Sequence, residues 1–541
     1  MQMRSLNLLF VSLILFFSIA CTFSKSIEHD VEDAPIDSIS EWCDTVPYPK
    51  PCKYFVARTP GMFEPKTKAG FRKMIIEAAL DRTLAAQGHL WMWGQQCANH
   101  RERAAWSDCI SLYSNTIYQL NNTLYGLTSN SSFTDFDAQT WLSSSLTNLD
   151  TCMSGSQDMN VTKFIWPHVS YNVSELISNG LSINEGLIDD FINSTSNGTG
   201  TTNDYPVWVS HDERRLLQVS RKLASSRAMF VVSKDRSSPY RTVQSAINAA
   251  ARSRIRGRKI IHVKRGIYKE NVYVGPFNND IMLVGDGMRN TIITSSRSAR
   301  SGYTTYSSAT AGIDGLRFMA RDITFQNTAG PQMGQAVALR SSSDLSVFYR
   351  CAFLGYQDTL FVHSQRQFYK MCYIFGTIDI IFGNAAVVFQ SCMIYARVPV
   401  YGQANVITAQ GRADPNQNTG IVIHGCRIMA DQDLRGKIAS ITTYLGRPWQ
   451  QYSRTIIMRS YLGGLVNVAG WMPWKTAGFL RTLYYAEYGN FGPGARLRRR
   501  VKWPGYHILT RPNAVSQFTV ERFIAGRKWL PATGVPFSPG V

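Results

Sequence analysis

Two aspartates carry the first chemical signal in this chain. Asp358 lies seven residues after Cys351 and Asp379 lies seven after Cys372, so both pairs share an offset of 21. That offset belongs to a repeat. Phe348-Tyr349-Arg350-Cys351-Ala352-Phe353 recurs as Phe368-Tyr369-Lys370-Met371-Cys372-Tyr373-Ile374. It recurs again as Val388-Phe389-Gln390-Ser391-Cys392-Met393-Ile394 and as Val422-Ile423-His424-Gly425-Cys426-Arg427-Ile428. A strand-bearing unit of about 20 residues is the mark of a solenoid, here a parallel β-helix. The 34-residue step from Cys392 to Cys426 is one coil with an inserted loop. Stacking would bring Asp358 and Asp379 onto adjacent coils about 4.8 Å apart. Two carboxyls that near cannot ionise independently. One stays protonated as an acid while the other stays anionic as a nucleophile. A ladder of aspartates that only satisfies turn backbone would show the same spacing, so the neighbours have to decide.

Gln335 precedes Gln357 by 22 residues, so two amides are expected to stack beside the acids, where their N–H groups can stabilise a tetrahedral oxyanion. Arg447, in Leu445-Gly446-Arg447-Pro448-Trp449, can fix a carboxylate and favour its ionised form. Phe361, Phe382, Trp449 and Trp471 offer aromatic faces to sugar rings. Taken singly, each of these is more often core or coil cap than subsite. The same stacking puts Cys351 over Cys372 and Cys392 over Cys426, within the roughly 4.4–6.8 Å Cα separation of a disulfide, and predicts both bonds.

The elements that must position these residues divide the chain. Its 541 residues are too many for one ordinary core. From Met229 onward, β-branched and aromatic runs alternate with Gly and Asn, and 39 Lys+Arg face 14 Asp+Glu, a balance of +25. Before Met229 the balance is −5. A domain at +25 suits a polyanion: nucleic acid, an acidic polysaccharide or an anionic membrane surface. Residues 37–195 read as helical. Trp106, Cys109, Ile110, Tyr113, Ile117, Leu120 and Leu124 mark one helix face, and 71–87 and 139–149 look similar. An antiparallel bundle follows, stapled by Cys43 with Cys52 and Cys109 with Cys152, with Cys97 left over as a free thiol.

Arg4 and the apolar run from Leu6 to Ile19 have a signal-peptide layout, with an uncleaved signal anchor as the alternative, and either places the chain in the secretory pathway. Six Asn-x-Ser/Thr acceptors agree: Asn121, Asn130, Asn160, Asn172, Asn193 and Asn197. The expected order is a signal peptide over 1–24, a helical pro-region over 25–195, a linker over 196–227 and a β-helix domain over 228–541. The linker holds Arg214-Arg215-Leu216-Leu217, a basic pair open to processing proteases, and Arg221-Lys222-Leu223-Ala224.

Residues 229–541 resemble plant pectin methylesterases along nearly their whole length. The resemblance rests on Gly266-Ile267-Tyr268-Lys269-Glu270, Gln335-Ala336-Val337-Ala338-Leu339-Arg340 and Gly355-Tyr356-Gln357-Asp358-Thr359-Leu360. Gly376-Thr377-Ile378-Asp379-Ile380-Ile381-Phe382-Gly383 and the Arg447 motif complete it. It implies an all-β right-handed parallel β-helix that hydrolyses methyl esters of homogalacturonan. Asp379 would be the nucleophile, Asp358 the general acid and then base, Gln335 and Gln357 the oxyanion hole, and Arg447 the holder of Asp379. Thr305, Gln335, Phe361, Phe382, Arg447, Trp449 and Trp471 would meet the substrate. No metal or organic cofactor is implied, and no nucleic-acid or membrane partner once the signal is removed.

Departures are small: Ile380 stands where the family has Phe, which would loosen packing behind Asp379, and Asp235-Arg236-Ser237-Ser238 replaces a glycine-rich turn. The all-α four-helix bundle is similar to pectin methylesterase inhibitors, on Asp108-Cys109-Ile110-Ser111-Leu112-Tyr113 and on Trp141-Leu142-Ser143 through Thr151-Cys152. Arg214–Leu217 resembles the family's processing site, implying a subtilisin-like protease as partner. Separate inhibitor proteins are a further expected partner, and the cell wall the expected location. Two rival readings stay open: a β-helical pectin depolymerase, which also needs two carboxylates, and a catalytically inactive wall-binding protein. The depolymerase pairs Asp-Asp and Gly-His-Gly are absent, as is a Gly-x-Ser-x-Gly elbow.

Overall fold

The computed structural model describes residues 39–58, 65–128, 133–169, 172–195, 228–235, 237–474 and 477–541. The expected signal peptide, the Arg214–Leu217 site, Asn130 and Asn197 lie outside them.

A helical hairpin, α1 (Ile39–Asp44) and α2 (Pro49–Arg58), leads into four long helices. These are α3 (Lys68–Trp93), α4 (His100–Thr128), α5 (Asp135–Asp158) and, after the short α6 (Thr162–Val169), α7 (Val173–Thr195). Thr134 starts α5 with a capping box closed by Asp137. Leu112, Leu142, Leu146, Leu176 and Leu181 fill the bundle core. Cys43 bonds Cys52 at the hairpin, and Cys109 bonds Cys152 between α4 and α5. Cys97 is a buried free thiol. Helix α5 is unlike the other three. Its residues 138–149 are buried without a break, although many are Ser or Thr. A helix buried all round has partners on every side.

From Phe230 onward the chain winds into a parallel β-helix. Each central coil gives one strand to each of three sheets, which hold eleven, eight and seven strands because the end coils are incomplete. One full turn runs through Leu339–Ser341, Ser346–Tyr349 and Ala352–Leu354, and returns beside its start at Leu360–Val362. The register is strict: Leu339 pairs Leu360, Leu360 pairs Ile381, and Ile381 pairs Thr408. Aromatic rings stack up the interior, Phe348 on Tyr369 and Tyr369 on Phe389, both at 4.6 Å. The amphipathic helix α8 (Val243–Arg252) packs Val243, Ala246, Ile247 and Ala250 onto the first coils and closes that end.

The predicted bonds Cys351–Cys372 and Cys392–Cys426 are not formed: all four are buried free thiols. The stacking was read correctly and its chemistry was not. Each cysteine follows a corner residue in the left-handed region, such as Arg350 (φ 53°), Met371 (φ 54°) or Ser391 (φ 56°). In-register stacking points every side chain the same way, so neighbouring sulfurs lie side by side on adjacent coils and are not brought to bonding distance. A disulfide needs about 2.0 Å. The thiols instead donate to carbonyls of the preceding coil, Cys372 to Phe348 at 3.3 Å and Cys426 to Phe389 at 3.4 Å. Ser460 continues the ladder, its hydroxyl accepting from the Cys426 amide at 3.1 Å, so the position serves turn hydrogen bonding.

Candidate active site

Asp358 and Asp379 occupy the corners just before the strands Leu360–Val362 and Ile381–Gly383 of the seven-stranded sheet. The Asp358 amide donates to the Ile378 carbonyl and the Leu360 amide to the Ile380 carbonyl, both at 2.9 Å, which sets the two aspartates side by side on neighbouring coils. Both take left-handed backbone, φ 60° and 50°, a conformation aspartate tolerates better than most residues. The corner is tight: a Cβ on Gly376 would stand 2.6 Å from the Thr359 hydroxyl. That hydroxyl donates to the Tyr356 and Phe375 carbonyls at 3.1 and 3.0 Å and ties the two corners together. Arg397 holds the loop from outside, donating to the Gly355 carbonyl at 3.0 Å with its guanidinium 4.0 Å above the Tyr356 ring. Ile380 is fully buried and lies against Gly376, so the space behind Asp379 is filled and not loosened.

Arg447 binds Asp379 with two parallel hydrogen bonds, Nε to Oδ1 at 2.9 Å and Nη2 to Oδ2 at 2.6 Å. Burial lifts the Asp358 carboxyl well above the usual range, and the Asp379 charge adds to the lift. Burial also raises Asp379, but Arg447 pulls it back. The proton of the pair therefore rests on Asp358 and the negative charge on Asp379. Gln335 and Gln357 are half-buried on successive coils, joined by the Ala336 amide donating to the Gln357 carbonyl at 3.2 Å. Among the described residues, no group of three or more His, Cys, Asp or Glu is placed to hold a metal ion.

Phe361 stacks on Phe382 at 4.2 Å, and Trp449 lies 6.1 Å from Phe382, forming an aromatic wall beside the acids. Trp471 does not join it. Its indole is 1% exposed in the β-helix interior, 4.4 Å from Tyr485, with Nε1 donating to Glu487 at 3.3 Å. The expectation that it faces substrate is corrected in this form of the chain. Trp474 stands at the site instead, its ring 4.2 Å from the Arg447 guanidinium. The run Trp471-Met472-Pro473-Trp474 contained that signal, and the wrong tryptophan was read from it.

The helical bundle covers this wall. Helix α5 lies along it and bonds through hydroxyls and amides. Ser144 donates to Ser364 at 3.1 Å, Thr147 accepts from Asn384 at 2.9 Å, and Thr151 meets the His363 ring at 2.9 Å. Gln139 donates to the Asn416 carbonyl at 2.6 Å, and Gln417 donates to the Ser143 carbonyl at 3.0 Å. Asp158 accepts from Thr305 at 3.2 Å, and Asp108 from Thr304. Phe361, Phe382, Trp449 and Tyr306 belong to one apolar cluster with the bundle core. About 10 Å³ of space remains between Thr147, Asp150 and Thr151 on one side and Phe361 and Trp449 on the other. One ion pair crosses among the described residues, Asp137 to Arg366 at 2.7 Å. The sequence assigned no docking contact to any of these residues. The available signal was a helix too rich in small hydroxyls for a plain bundle core.

A family model described as Pectinesterase matches residues 229–527. "Probable pectinesterase/pectinesterase inhibitor 59" from Arabidopsis thaliana is 51% identical and covers 100% of both chains. The chain belongs to the pectinesterase family. A second model, described as Plant invertase/pectin methylesterase inhibitor, matches residues 37–183. "Pectinesterase 2" from Citrus sinensis is 48% identical over 99% of each chain. The solved pectin methylesterase from carrot is 53% identical, with a TM-score of 0.57, and covers 58% of this chain and 98% of its own. In this pectinesterase the acceptors Asn121, Asn160 and Asn172 are exposed on the inhibitor-type domain, and Asn193 lies in α7. No helix among the described residues is long and apolar enough to cross a membrane.

Proposed function

We propose that this pectinesterase hydrolyses methyl esters of homogalacturonan with Asp379 as nucleophile, and that its helical domain blocks the same cleft until it is removed. The observation that carries the first part is the Arg447–Asp379 pair with Asp358 one coil away, its carboxyl lifted well above the usual range by burial and the Asp379 charge. The Asp379 carboxylate attacks the ester carbonyl and its charge passes to the carbonyl oxygen, where Gln335 and Gln357 donate. Collapse expels methoxide, protonated by Asp358, and leaves an acyl-enzyme. Asp358, now anionic, takes a proton from water as that water attacks the acyl carbon. Pectate and free Asp379 result, and the proton is back on Asp358. Thr305, Phe361, Phe382 and Trp449 would meet the neighbouring sugars. The oxyanion exists only along the reaction path, so Gln357→Ala should lower kcat by about tenfold or more and leave KM within about threefold. A change confined to KM would make the amide a binding group instead.

The second part rests on α5 filling the space over Phe361 and Trp449. The chain would be secreted to the cell wall, glycosylated on its helical domain, and freed by a subtilisin-like protease at Arg214–Leu217. Separate inhibitor proteins would reach the vacated cleft. The docked interface also binds protons. Burial lifts Asp150 to about 7, and the charge of Asp414 contributes; burial lifts Asp108 to about 6 against the Thr304 hydroxyl and the Arg340 charge. His363, which lines the same gap as Asp150, is kept neutral by burial, its pKa lowered to about 3. A carboxyl whose pKa rises on docking favours the docked state fully below its free value of about 4 and loses that contribution as pH climbs through 6 to 7. After linker cleavage, the bundle should therefore leave faster at about pH 8 than at about pH 5, as read by size-exclusion chromatography. Asp150→Asn should flatten that dependence. Docking that tightens as pH rises would contradict it.

A further inference from the structure

We propose that the arginine-rich loop at residues 496–502 is a second binding site for de-esterified polygalacturonate, set at the far end of the catalytic cleft. The proposal rests on the homogalacturonan reading above. Between Gln451 and Lys502 the sequence carries nine Lys+Arg and one acid, Glu487. That acid is already taken. Arg500 is buried against it, Nε to Oε1 at 2.7 Å and Nη2 to Oε2 at 3.2 Å. Arg500 also donates to the carbonyls of Gly494 at 2.7 Å, Val468 at 3.1 Å and Asn467 at 3.3 Å. One fully buried guanidinium thus pins the loop on three segments. Arg496, Arg498, Arg499 and Lys502 are left exposed, and none of them pairs with an acid among the described residues. Four uncompensated cations on a pinned loop concentrate positive potential at little ordering cost on binding.

The position gives the patch its partner. Past the strand that follows Asp379, the same column continues through Asn405–Gln410, Thr443–Gly446 and Trp471, which bridges Gly446. The Val501 amide then donates to the Ala469 carbonyl at 3.1 Å, adding the loop as the next rung. Four rungs of about 4.8 Å place it on the order of 20 Å from Asp379 along that column. A polymer lying along the cleft would reach it, and the carboxylates the enzyme has just uncovered are the charges it would hold. Arg496, Arg498, Arg499 and Lys502 are exposed with the bundle in place, so the site stays open while the cleft is closed. The intact chain should already adhere to pectate.

A second basic stretch supplies the control. Arg252, Arg254 and Arg256 are exposed beside the end of α8, at the opposite end of the β-helix. Two full-length triple variants, R496Q/R498Q/R499Q and R252Q/R254Q/R256Q, change net charge equally. On immobilised polygalacturonate at about 0.05 M salt, the first should bind at least about fivefold more weakly and elute at lower salt, while the second loses less than about twofold. Thermal melting checks that both are folded. Equal losses would show that overall charge holds the polymer, and no loss in the first variant would remove the loop altogether; either result overturns the proposal. Methanol release by the unaltered trimmed enzyme is scored separately. Failure of the esterase reading would show there, and failure of the loop assignment in the elution shift.

Discussion

Asp379→Asn should lower methanol release from pectin by at least about a hundredfold, the usual range for loss of a nucleophile or proton donor. The amide keeps the size of the carboxylate and one acceptor oxygen, but it cannot form the acyl-enzyme. It also removes the charge that helps hold the proton on Asp358, so the acid becomes easier to ionise. Arg447 loses a partner with two hydrogen bonds. Breaking a buried pair costs roughly 3–5 kcal/mol, and the cost here should sit at the low end because the Arg447 side chain is 22% exposed and can be met by water. A melting curve must therefore accompany the assay. Asp358→Asn should fail as severely by another route, since an amide can neither protonate methoxide nor activate water. Near-normal methanol release by a folded Asp379→Asn protein would rule out the nucleophile assignment.

Removing the helical domain should have the next largest effect. Residues 229–541 are expected to turn over at least about tenfold faster than an intact chain that carries Arg214→Ala and Arg215→Ala. A tether can hold a docked partner at millimolar effective concentration, so modest affinity is enough to keep the cleft shut. The carrot enzyme corresponds to this fragment and stands folded without the bundle. The interface also predicts how to open the intact chain. Thr147→Arg would force a charge into the space facing Asn384, where Thr147 is 4% exposed. Burying an unpaired charge there costs far more than the lost hydrogen bond. That variant should regain most of the fragment's rate without cleavage. Equal rates for the intact and trimmed forms would mean that the bundle serves folding or export and leaves the cleft usable.

The sequence made the aspartate pair legible because a solenoid converts an offset of 21 into a spatial contact. The same rule located the cysteine ladder and then failed on its bonding, since a repeat distance says which residues stack but not whether their sulfurs meet. Ser460, in the fifth place of that ladder, was the available warning. Trp471 and Trp474 show a similar limit: both sit in one short loop, and only three-dimensional packing sends one inward against Tyr485 and the other onto Arg447. Helix α5 was expected over 139–149 and runs from Asp135 to Asp158. Its role in the cleft was hidden because hydrophobic periodicity finds an apolar face. The docking face of α5 is made of Ser144, Thr147 and Thr151. The two halves carry opposite net charges, −5 and +25, yet their contact is mainly one of hydroxyls and amides with one ion pair among the described residues. Long-range attraction and close packing are separate matters.

The central claim is that this acid pair opens methyl esters and leaves the polymer intact. Its most direct test is to follow methanol and chain length together on one pectin sample treated with residues 229–541. One new carboxylate should appear for each methanol, with no change in polymer size and no methanol from the Asp379→Asn form. Shortening of the polymer with new reducing ends and no methanol would contradict it and assign the two aspartates to glycosidic bond cleavage.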